Sequence, residues 1–381
     1  MSLKQLVLLA VVTIVVVALG VVVYRQQAKS WDPDSSAIGQ VVLPDLPINE
    51  VAGIGIVDAE GELALARRAG TWRVTDRYDY PADYDRIRGL LMDLSELKVA
   101  QPVPASDTVF ERLRLNPPGD AESGGSMLRL DAADGTAIAV LVLGKEHMRK
   151  AGDESNPYMR GGWPDGRYIR VPETGVAGLV AEPFSSLVAT PSSWLAKDFF
   201  KMGPKTRVVL REGDAVVWEL VSSADGGDLS LVGLGEDQEL DPAAVSAVTN
   251  AFSYASFEDV ADPALDPAAS GLATPRTLTV ADADGIQYVL QIGSKTADGR
   301  YHLTVDVSYI GPAEPTDPEG EVGADAAATA KIADLQSRVQ EIQARLGGWV
   351  YLVSAYTVDP VIKTADAFIK APAEPTPEPE P

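Results

Sequence analysis

The sequence predicts an α+β protein, with an N-terminal transmembrane helix followed by two tandem repeats of antiparallel β-sheet backed by helices. The first stretch of the chain is apolar and uncharged, and the remaining body shows the same order of elements twice. Short turns join the alternating strands of each copy, so neighbouring strands must run antiparallel. Hydrophobic residues form 46% and charged residues 23% of the chain, which is the composition of a globular protein.

Charge and residue usage exclude several classes of function. The chain carries 32 basic and 55 acidic residues, a net charge of −23, and such a surface repels phosphate backbones. We therefore expect no nucleic-acid partner. The chain has no cysteine, which excludes disulfides, thiol catalysis and cysteine zinc sites. It has two histidines and no motif for a nucleotide, flavin or haem, so we expect no cofactor.

Residues 1–29 are predicted to form a signal-anchor transmembrane helix. The stretch Leu6–Tyr24 contains 19 residues without a charge. At ~1.5 Å per residue a helix of this length spans about 28 Å, which matches the core of a bilayer. A cleaved signal peptide is the alternative, but its apolar region covers roughly 7–15 residues and ends at small residues. Here the stretch is longer and ends at Tyr24-Arg25, so we expect the membrane to be a partner of the chain.

Positive charges flank the predicted helix on both sides, with Lys4 before it and Arg25 and Lys29 after it. The charge rule for orientation is therefore close to a tie. The short N-terminal stub favours a cytoplasmic N-terminus, and an acidic body is unsuited to the anionic cytoplasmic leaflet. The expected location is the bacterial inner membrane, with a single pass and the C-terminal body exported to the periplasm or the cell exterior.

The body is predicted to contain two copies of one fold, at residues 49–204 and 205–370. Residues 30–48 are rich in Pro, Ser and Asp and predict a linker, while residues 371–381 alternate Pro and Glu and predict a disordered, solvated tail. Each copy opens with two alternating strands around an acidic-glycine turn, and a third strand and a helix follow.

The first helix of each copy provides the strongest evidence for the repeat. Asp83 and Asp241 are the candidate N-caps, and they are separated by 158 residues. The same offset relates apolar positions of the two helices, namely Ile87 to Val245, Leu90 to Val248 and Leu94 to Phe252. Four matches in one register indicate a shared helix.

A second hairpin follows in each copy. Both hairpins turn at an Asp-Gly pair and end in a glycine, at Asp134-Gly135 with Gly144 and at Asp284-Gly285 with Gly293. Asp282, Asp284 and Gly285 also form a string found in calcium loops, but a true EF-hand needs a later carboxylate between two helices. We therefore interpret the string as a hairpin turn.

The last elements of each copy are predicted to be an aromatic strand and an amphipathic helix. The strands are Arg167–Val171 and Trp349–Val353, and the helices stop at Pro191 and Pro372. These elements complete a sheet backed by helices.

The second copy carries a helical insertion at residues 311–348. The apolar side chains of its helix are spaced by three and four residues, as in a coiled-coil seam. They are Ile332, Leu335, Val339, Ile342 and Leu346. The seam either packs on the sheet of its own copy or docks on a protein partner or a second copy of the chain. These residues are the candidate partner contacts, and no catalytic, cofactor-binding or metal-binding residue is assigned.

Histidines and carboxylates do not indicate a metal or acid–base site. His147 lies in a polar segment and His302 on the polar face of a strand, and we expect both to be exposed. His302 and Asp306 are then roughly 13 Å apart, too far to share a metal. Asp262 and Asp266 are a candidate acidic pair of a glycosidase, but 55 carboxylates make chance proximity expected.

Several motifs of the chain match a pattern known from one family. They are Trp72-Arg73-Val74, Tyr80-Pro81-Ala82-Asp83 before a leucine-patterned helix, Leu143-Gly144, Arg167–Val171 and Gly348–Tyr351. These elements resemble the domain-of-unknown-function family 4340, over most of residues 50–370. The second copy departs from the pattern, because Leu229 or Leu231 stands where Trp72 is expected.

The resemblance implies two tandem copies of the family domain and no assigned enzymatic activity. It also implies that some members associate with accessory components of gliding-motility-type ABC transporters. The chain has no G-x-x-x-x-G-K-[ST] loop, so it is not itself the ATPase.

Two hypotheses for the function remain open. The first is a membrane-anchored extracytoplasmic interaction or scaffold module, accessory to an ABC-type transporter or a cell-envelope assembly, with a protein partner of unknown identity. The second is a carboxylate-dependent hydrolase acting on an envelope polymer, since acid–base chemistry needs only carboxylates. The predicted anchor, the acidic surface and a repeat without a catalytic constellation favour the first.

Overall fold

The structure is a computed structural model, and it describes residues 37–119, 124–149, 162–222, 228–252, 256–311 and 322–370. The chain divides into two compact units, Met1–Ala196 and Lys197–Pro381. The second unit therefore begins at Lys197 rather than at residue 205. The reason is that Phe199 is buried there, with its ring centroid 4.8 Å from that of Tyr351.

The strands of the first unit form a sheet, and in the first strand the buried Ile54 and Ile56 alternate with partly exposed positions. They are β1 Gly53–Val57, β2 Glu62–Arg68, β3 Thr71–Val74, β4 Tyr80–Pro81, β5 Val99–Pro102, β6 Ser126–Asp131, β7 Ala137–Arg149, β8 Trp163–Arg170 and β9 Ala177–Val180. Within the described residues they form one sheet in the order β4-β3-β2-β1-β6-β7-β8-β9-β5. The helices are α1 Tyr84–Glu96 and α2 Asp107–Leu113, with 3-10 helices at Thr75–Arg77 and Pro191–Trp194.

The second unit contains a sheet of the same kind. Its strands are β10 Lys205–Glu212, β11 Ala215–Ser222, β12 Leu229–Leu231, β13 Asp259–Val260, β14 Arg276–Asp282, β15 Ile286–Lys295, β16 Arg300–Tyr309 and β17 Tyr351–Ser354. Their order, over the part of the chain described, is β12-β11-β10-β14-β15-β16-β17-β13. The helices are α3 Pro242–Ala251, α4 Pro267–Ser270, α5 Val322–Leu346 and α6 Ala355–Val358, with a 3-10 helix at Ala365–Phe368.

Both sheets are antiparallel, and apart from β4 they follow one strand order. The first hairpin and the third strand lie on one side, and the second hairpin and the later strands lie on the other. In this order β16 corresponds to β8 and β17 to β9. The prediction that Trp349–Val353 is the counterpart of Arg167–Val171 is therefore wrong. Most of Arg167–Val171 lies in β8, and its counterpart is β16, because α5 enters the chain between β16 and β17.

The predicted helix caps and turns are confirmed. The side chain of Asp83 accepts a hydrogen bond from the backbone N–H of Arg86, and that of Asp241 accepts one from Ala243. Gly135 and Gly285 have φ angles of +84° and +76°, which glycine adopts without strain at a hairpin turn. The acidic-glycine turns therefore set both second hairpins.

The closing amphipathic helices that were predicted before Pro191 and Pro372 do not form. The first unit closes with the 3-10 helix Pro191–Trp194, which starts at the proline because proline has no N–H to lose there. The second unit closes with α6 and the 3-10 helix Ala365–Phe368. The apolar residues of these segments are used singly, as buried anchors, rather than as a helical face.

Part of the predicted linker belongs to the first unit. The backbone N–H of Gly39 donates to the carbonyl oxygen of Val99 at 2.8 Å, and that of Val42 donates to Leu97 at 2.8 Å. Val42 is buried. The segment therefore pairs beside β5 instead of crossing solvent.

The predicted membrane anchor Leu6–Tyr24 and the tail 371–381 lie outside the described residues. Among the residues that are described, no helix combines the length and the apolar character needed to cross a membrane.

Candidate functional site

The apolar seam of α5 is covered by its own unit. Four of its side chains are at most 9% exposed, namely Leu335, Val339, Ile342 and Leu346, while Ile332 is half-buried. The helix contacts β16, and the Gln343 side chain accepts a hydrogen bond from the N–H of Val307 at 2.6 Å. This burial supports the interpretation that the helix packs on its own sheet. It corrects the docking interpretation, since the seam is not an exposed surface.

Both histidines differ from the prediction of full exposure. His302 is 8% exposed, and its Nδ1 lies 3.1 Å from the carbonyl oxygen of Ser294. His147 lies on β7, half-buried, with its Nδ1 2.7 Å from the carboxylate of Asp165. Contacts with residues distant in sequence, Ser294 for His302 and Asp165 for His147, account for the lower exposure. Within the described ranges, no group of three or more His, Asp or Glu side chains is arranged to hold a metal ion.

The acidic residues singled out by the sequence hold turns. Asp282 Oδ1 accepts hydrogen bonds from the N–H groups of Asp284 and Ile286, which confirms the hairpin interpretation. Asp262 accepts from the N–H of Ala264, and Asp266 caps α4. Because each carboxylate is turned toward its own backbone, the pair Asp262 and Asp266 does not form an acid–base site.

A cavity of about 760 Å³ lies at a β-bulge of the first unit. The register of β7 and β8 shifts between Leu143 and Glu146, and Gly144 lies in that shift. A Cβ atom at Gly144 would be 2.2 Å from the carbonyl oxygen of Leu113, at the end of α2. The glycine is therefore required for the helix to approach the strand, and Gly144 itself and Arg114, which follows the helix, both line the cavity.

The second unit repeats this geometry. The register of β15 and β16 shifts between Ile292 and Lys295. A Cβ atom at Gly293 would lie 2.2 Å from the carbonyl oxygen of Ser270, at the end of α4. The cavity at this place is only about 230 Å³. The sequence identified both glycines, but as strand ends; the strands in fact continue through them.

Three cations line the cavity of the first unit: Arg114, Lys145 and Arg167. Arg167 is half-buried, and its Nε donates to the carbonyl oxygen of Gly144 at 2.9 Å. Burial lowers the pKa of Arg167, and the nearby carboxylates of Glu146 and Asp58 oppose that shift. The hydrogen bond to Gly144 holds its guanidinium in place. The exposed side chains of Arg114 and Lys145 make no hydrogen bond or ion pair with the described part of the chain.

Two of the three carboxylates in the cavity are engaged. Asp58 accepts hydrogen bonds from the N–H groups of Glu60 and Ala189 at 2.8 and 2.9 Å. Glu146 accepts one from the hydroxyl of Ser185 at 2.8 Å. These carboxylates pin the loops around the cavity, whereas a hydrolase needs them free to exchange protons with substrate. The third carboxylate, that of Glu60, lies on the β1–β2 turn.

In the second unit, side chains fill the corresponding place. Arg276 forms an ion pair with Glu212. The Tyr301 hydroxyl donates to Asp359 at 2.8 Å, and the Lys295 ammonium lies 5.2 Å from the centre of the Tyr301 ring. The strand registers explain the difference. Ser126 faces Leu143 in the first unit, and Arg276 faces Ile292 at the equivalent position of the second unit. Serine is too short to fill the space that arginine fills.

Fold and site together define a class: a two-unit α+β protein whose antiparallel sheets share one strand order apart from the edge strand β4, with an open, charged cavity in the first unit. A family described as a domain of unknown function, DUF4340, matches residues 72–275, which is more than half of the chain. The chain belongs to the DUF4340 family. The match begins in β3 and ends before β14, so it does not divide into one copy for each unit. No curated protein and no solved structure gives a significant match.

Proposed function

We propose that the chain is a membrane-anchored, extracytoplasmic binding module built from two copies of one repeat. The first unit binds an acidic segment of a protein partner in the cavity beside Gly144, and the module acts as an accessory to a transporter or a cell-envelope assembly. The predicted anchor at Leu6–Tyr24 supplies the membrane attachment, and the second unit acts as scaffold.

One observation carries this proposal. Two places with the same bulge, the same glycine and the same helix approach differ in what fills them. In the second unit, ion pairs and a tyrosine close the place, whereas in the first unit a cavity of about 760 Å³ remains and exposes charge. Open charged space beside such a bulge is available for a ligand.

The charges favour an acidic group on that ligand. Asp58 and Glu146 already hold neighbouring loops, so Arg114 and Lys145 are the cations left to face a ligand, and Glu60 is the third carboxylate that lines the cavity. The chain as a whole carries −23 and repels acidic molecules at long range. Only a partner that places its acidic group in the cavity gains attraction, and this gives selectivity rather than general affinity.

The test is copurification of the full chain from native membranes. Replacing Arg114 and Lys145 together by Glu should remove the partner that the unchanged chain recovers. The matched control replaces Arg112 and Lys98 by Glu, which are exposed cations of the same unit outside the cavity. Recovery should also fall as ionic strength rises, because exposed charges are screened. Equal recovery with both double variants would overturn the proposal.

A further inference from the structure

The sheet of the second unit ends on β12, beside a second cavity of about 870 Å³. This cavity is lined by Leu229 of β12, by Leu240 before α3, by Val245 of α3 and by residues 201–205. In the first unit this edge is covered, because β4 pairs with β3 there.

Backbone groups at this edge differ between the two units. The strand registers make Leu229 the counterpart of Trp72. Leu229 faces Ser222 of β11, and Trp72 faces Arg67 at the equivalent position of β2. In the first unit the N–H of Ala82 donates to the carbonyl oxygen of Trp72 at 2.9 Å.

The second unit lacks this bond. The residue before its helix cap is Leu240, and over the described residues its N–H and the outer carbonyl of Leu229 make no hydrogen bond. A donor and an acceptor that are paired in one unit therefore have no partner among the described residues of the other, and Leu229 and Leu240, which carry them, both line the cavity.

Smaller side chains explain the volume of the cleft. Trp72 and Leu91 of the first unit are 5% and 8% exposed, so both contribute to a filled core. Leu229 stands in the place of Trp72, and Thr249, also at the cavity, is the counterpart of Leu91 in the helix register. The space left is large enough for the side chain of a bulky apolar residue.

Positive charge lies along one wall of the cleft. Lys201 is exposed at the rim. Lys205 is half-buried; burial lowers its pKa, and nearby Asp282 opposes the shift. An occupant with an acidic residue next to its apolar anchor complements these lysines, while Asp228, which also lines the cavity, disfavours a second acid.

We propose that this cleft binds an extended peptide segment of a protein partner by strand addition to β12. The peptide donates to the carbonyl of Leu229 and accepts from the N–H of Leu240. It places an aromatic side chain in the cavity and an acidic side chain beside Lys201. Strand addition draws affinity from main-chain hydrogen bonds and specificity from side-chain pockets, and both are present here.

The probe is a fluorescein-labelled peptide with the sequence of residues 76–83, DRYDYPAD, which covers the corresponding edge of the first unit through Tyr80. Anisotropy with the full chain should show saturable binding with a dissociation constant below about 1 mM. Leu229→Trp restores the large side chain of the first unit and should weaken binding by at least about tenfold. Val216→Trp, at an exposed position of β11 outside the cleft, is the matched control and should leave binding unchanged.

Three results would overturn the proposal. One is the absence of saturable binding by the probe. Another is equal binding to the Leu229→Trp and Val216→Trp variants, with both shown to be folded by their melting transitions. The third is binding that emerges only after residues 371–381 are removed, because the acidic tail of the chain itself would then be the occupant.

A second probe tests the aromatic anchor. The same peptide with Tyr80→Ala should bind at least about tenfold more weakly.

Discussion

The backbone N–H of Asp83 donates a hydrogen bond to the carbonyl oxygen of Trp194 at 2.8 Å. In the second unit Asp241 makes the same bond to Phe368 at 2.7 Å. Both bonds join the residue that caps the first helix to the aromatic residue that ends the closing 3-10 helix. In each unit this bond therefore ties the start of the first helix to the end of the closing 3-10 helix.

Asp83→Ala should destabilise the first unit by about 0.5–2 kcal/mol, because the N–H of Arg86 at the start of α1 loses its side-chain acceptor. Asp83→Asn keeps an oxygen at that position and should cost much less. Urea unfolding of both variants measures the difference. Equal destabilisation by Ala and Asn would show that the carboxylate acts by charge rather than as a cap.

Gly144→Ala and Gly293→Ala should each destabilise the chain by more than about 2 kcal/mol, since the added Cβ meets a helix-end carbonyl at 2.2 Å and the backbone must shift. Gly89→Ala is the control. It lies exposed inside α1 with open space around its Cβ position, and it should stabilise by about 1 kcal/mol through helix propensity. Thermal unfolding reports all three changes. A neutral Gly144→Ala would contradict the close helix approach.

The sequence predicted those helices and turns that are determined by residues close to one another in the chain. The cap at Asp241, the apolar face through Val245 and Val248, and the turn at Gly285 depend on neighbours in sequence, and the structure confirms them. The segment Pro267–Ser270 was not predicted as a helix, yet it forms α4, whose last carbonyl lies against Gly293. A helix this short has no periodicity to read.

Contacts distant in sequence were the ones missed. Burial of His302, the pairing of Gly39 with Val99 and the bulge at Gly144 all depend on which segments meet across the fold. The cavity beside Gly144 was not predicted either. Its signal was the contrast of Ser126 with Arg276, and that contrast becomes visible only once the strand register aligns these two positions.

Replacing Leu335 and Ile342 by Asp should lower stability by more than about 3 kcal/mol, because each change places an unpaired carboxylate in a buried position against β16. Gln340→Asp, on the exposed face of the same helix, should change stability by less than about 0.5 kcal/mol. Chemical unfolding of the two variants is the measurement. An unchanged midpoint for the double variant would return the seam to the role of a docking surface.

A single cysteine at Ser337 should react with a membrane-impermeant thiol reagent in intact cells, because the position is exposed and the body is expected outside the cytoplasm. The chain has no other cysteine, so the labelling is specific. Ser270→Cys is the control: that position is 1% exposed and should react only after unfolding. Labelling of Ser337→Cys only after lysis would reverse the proposed orientation.

Ser126→Arg should close the cavity of the first unit by copying the second. Ser126 occupies the ladder position of Arg276, and Asp58 follows β1 in the place of Glu212, the ion-pair partner of Arg276. An arginine at 126 is long enough to cross the open space and pair with Asp58, whose carboxylate lines the same cavity. Such an exposed ion pair contributes at most about 1 kcal/mol, so the melting temperature should change little.

The partner recovered from membranes should nevertheless be lost with the Ser126→Arg variant. Ser126→Ala leaves the space open and should retain the partner, and Arg276→Ser in the second unit should not affect recovery. Retention of the partner by a folded Ser126→Arg variant would move the binding site away from this cavity.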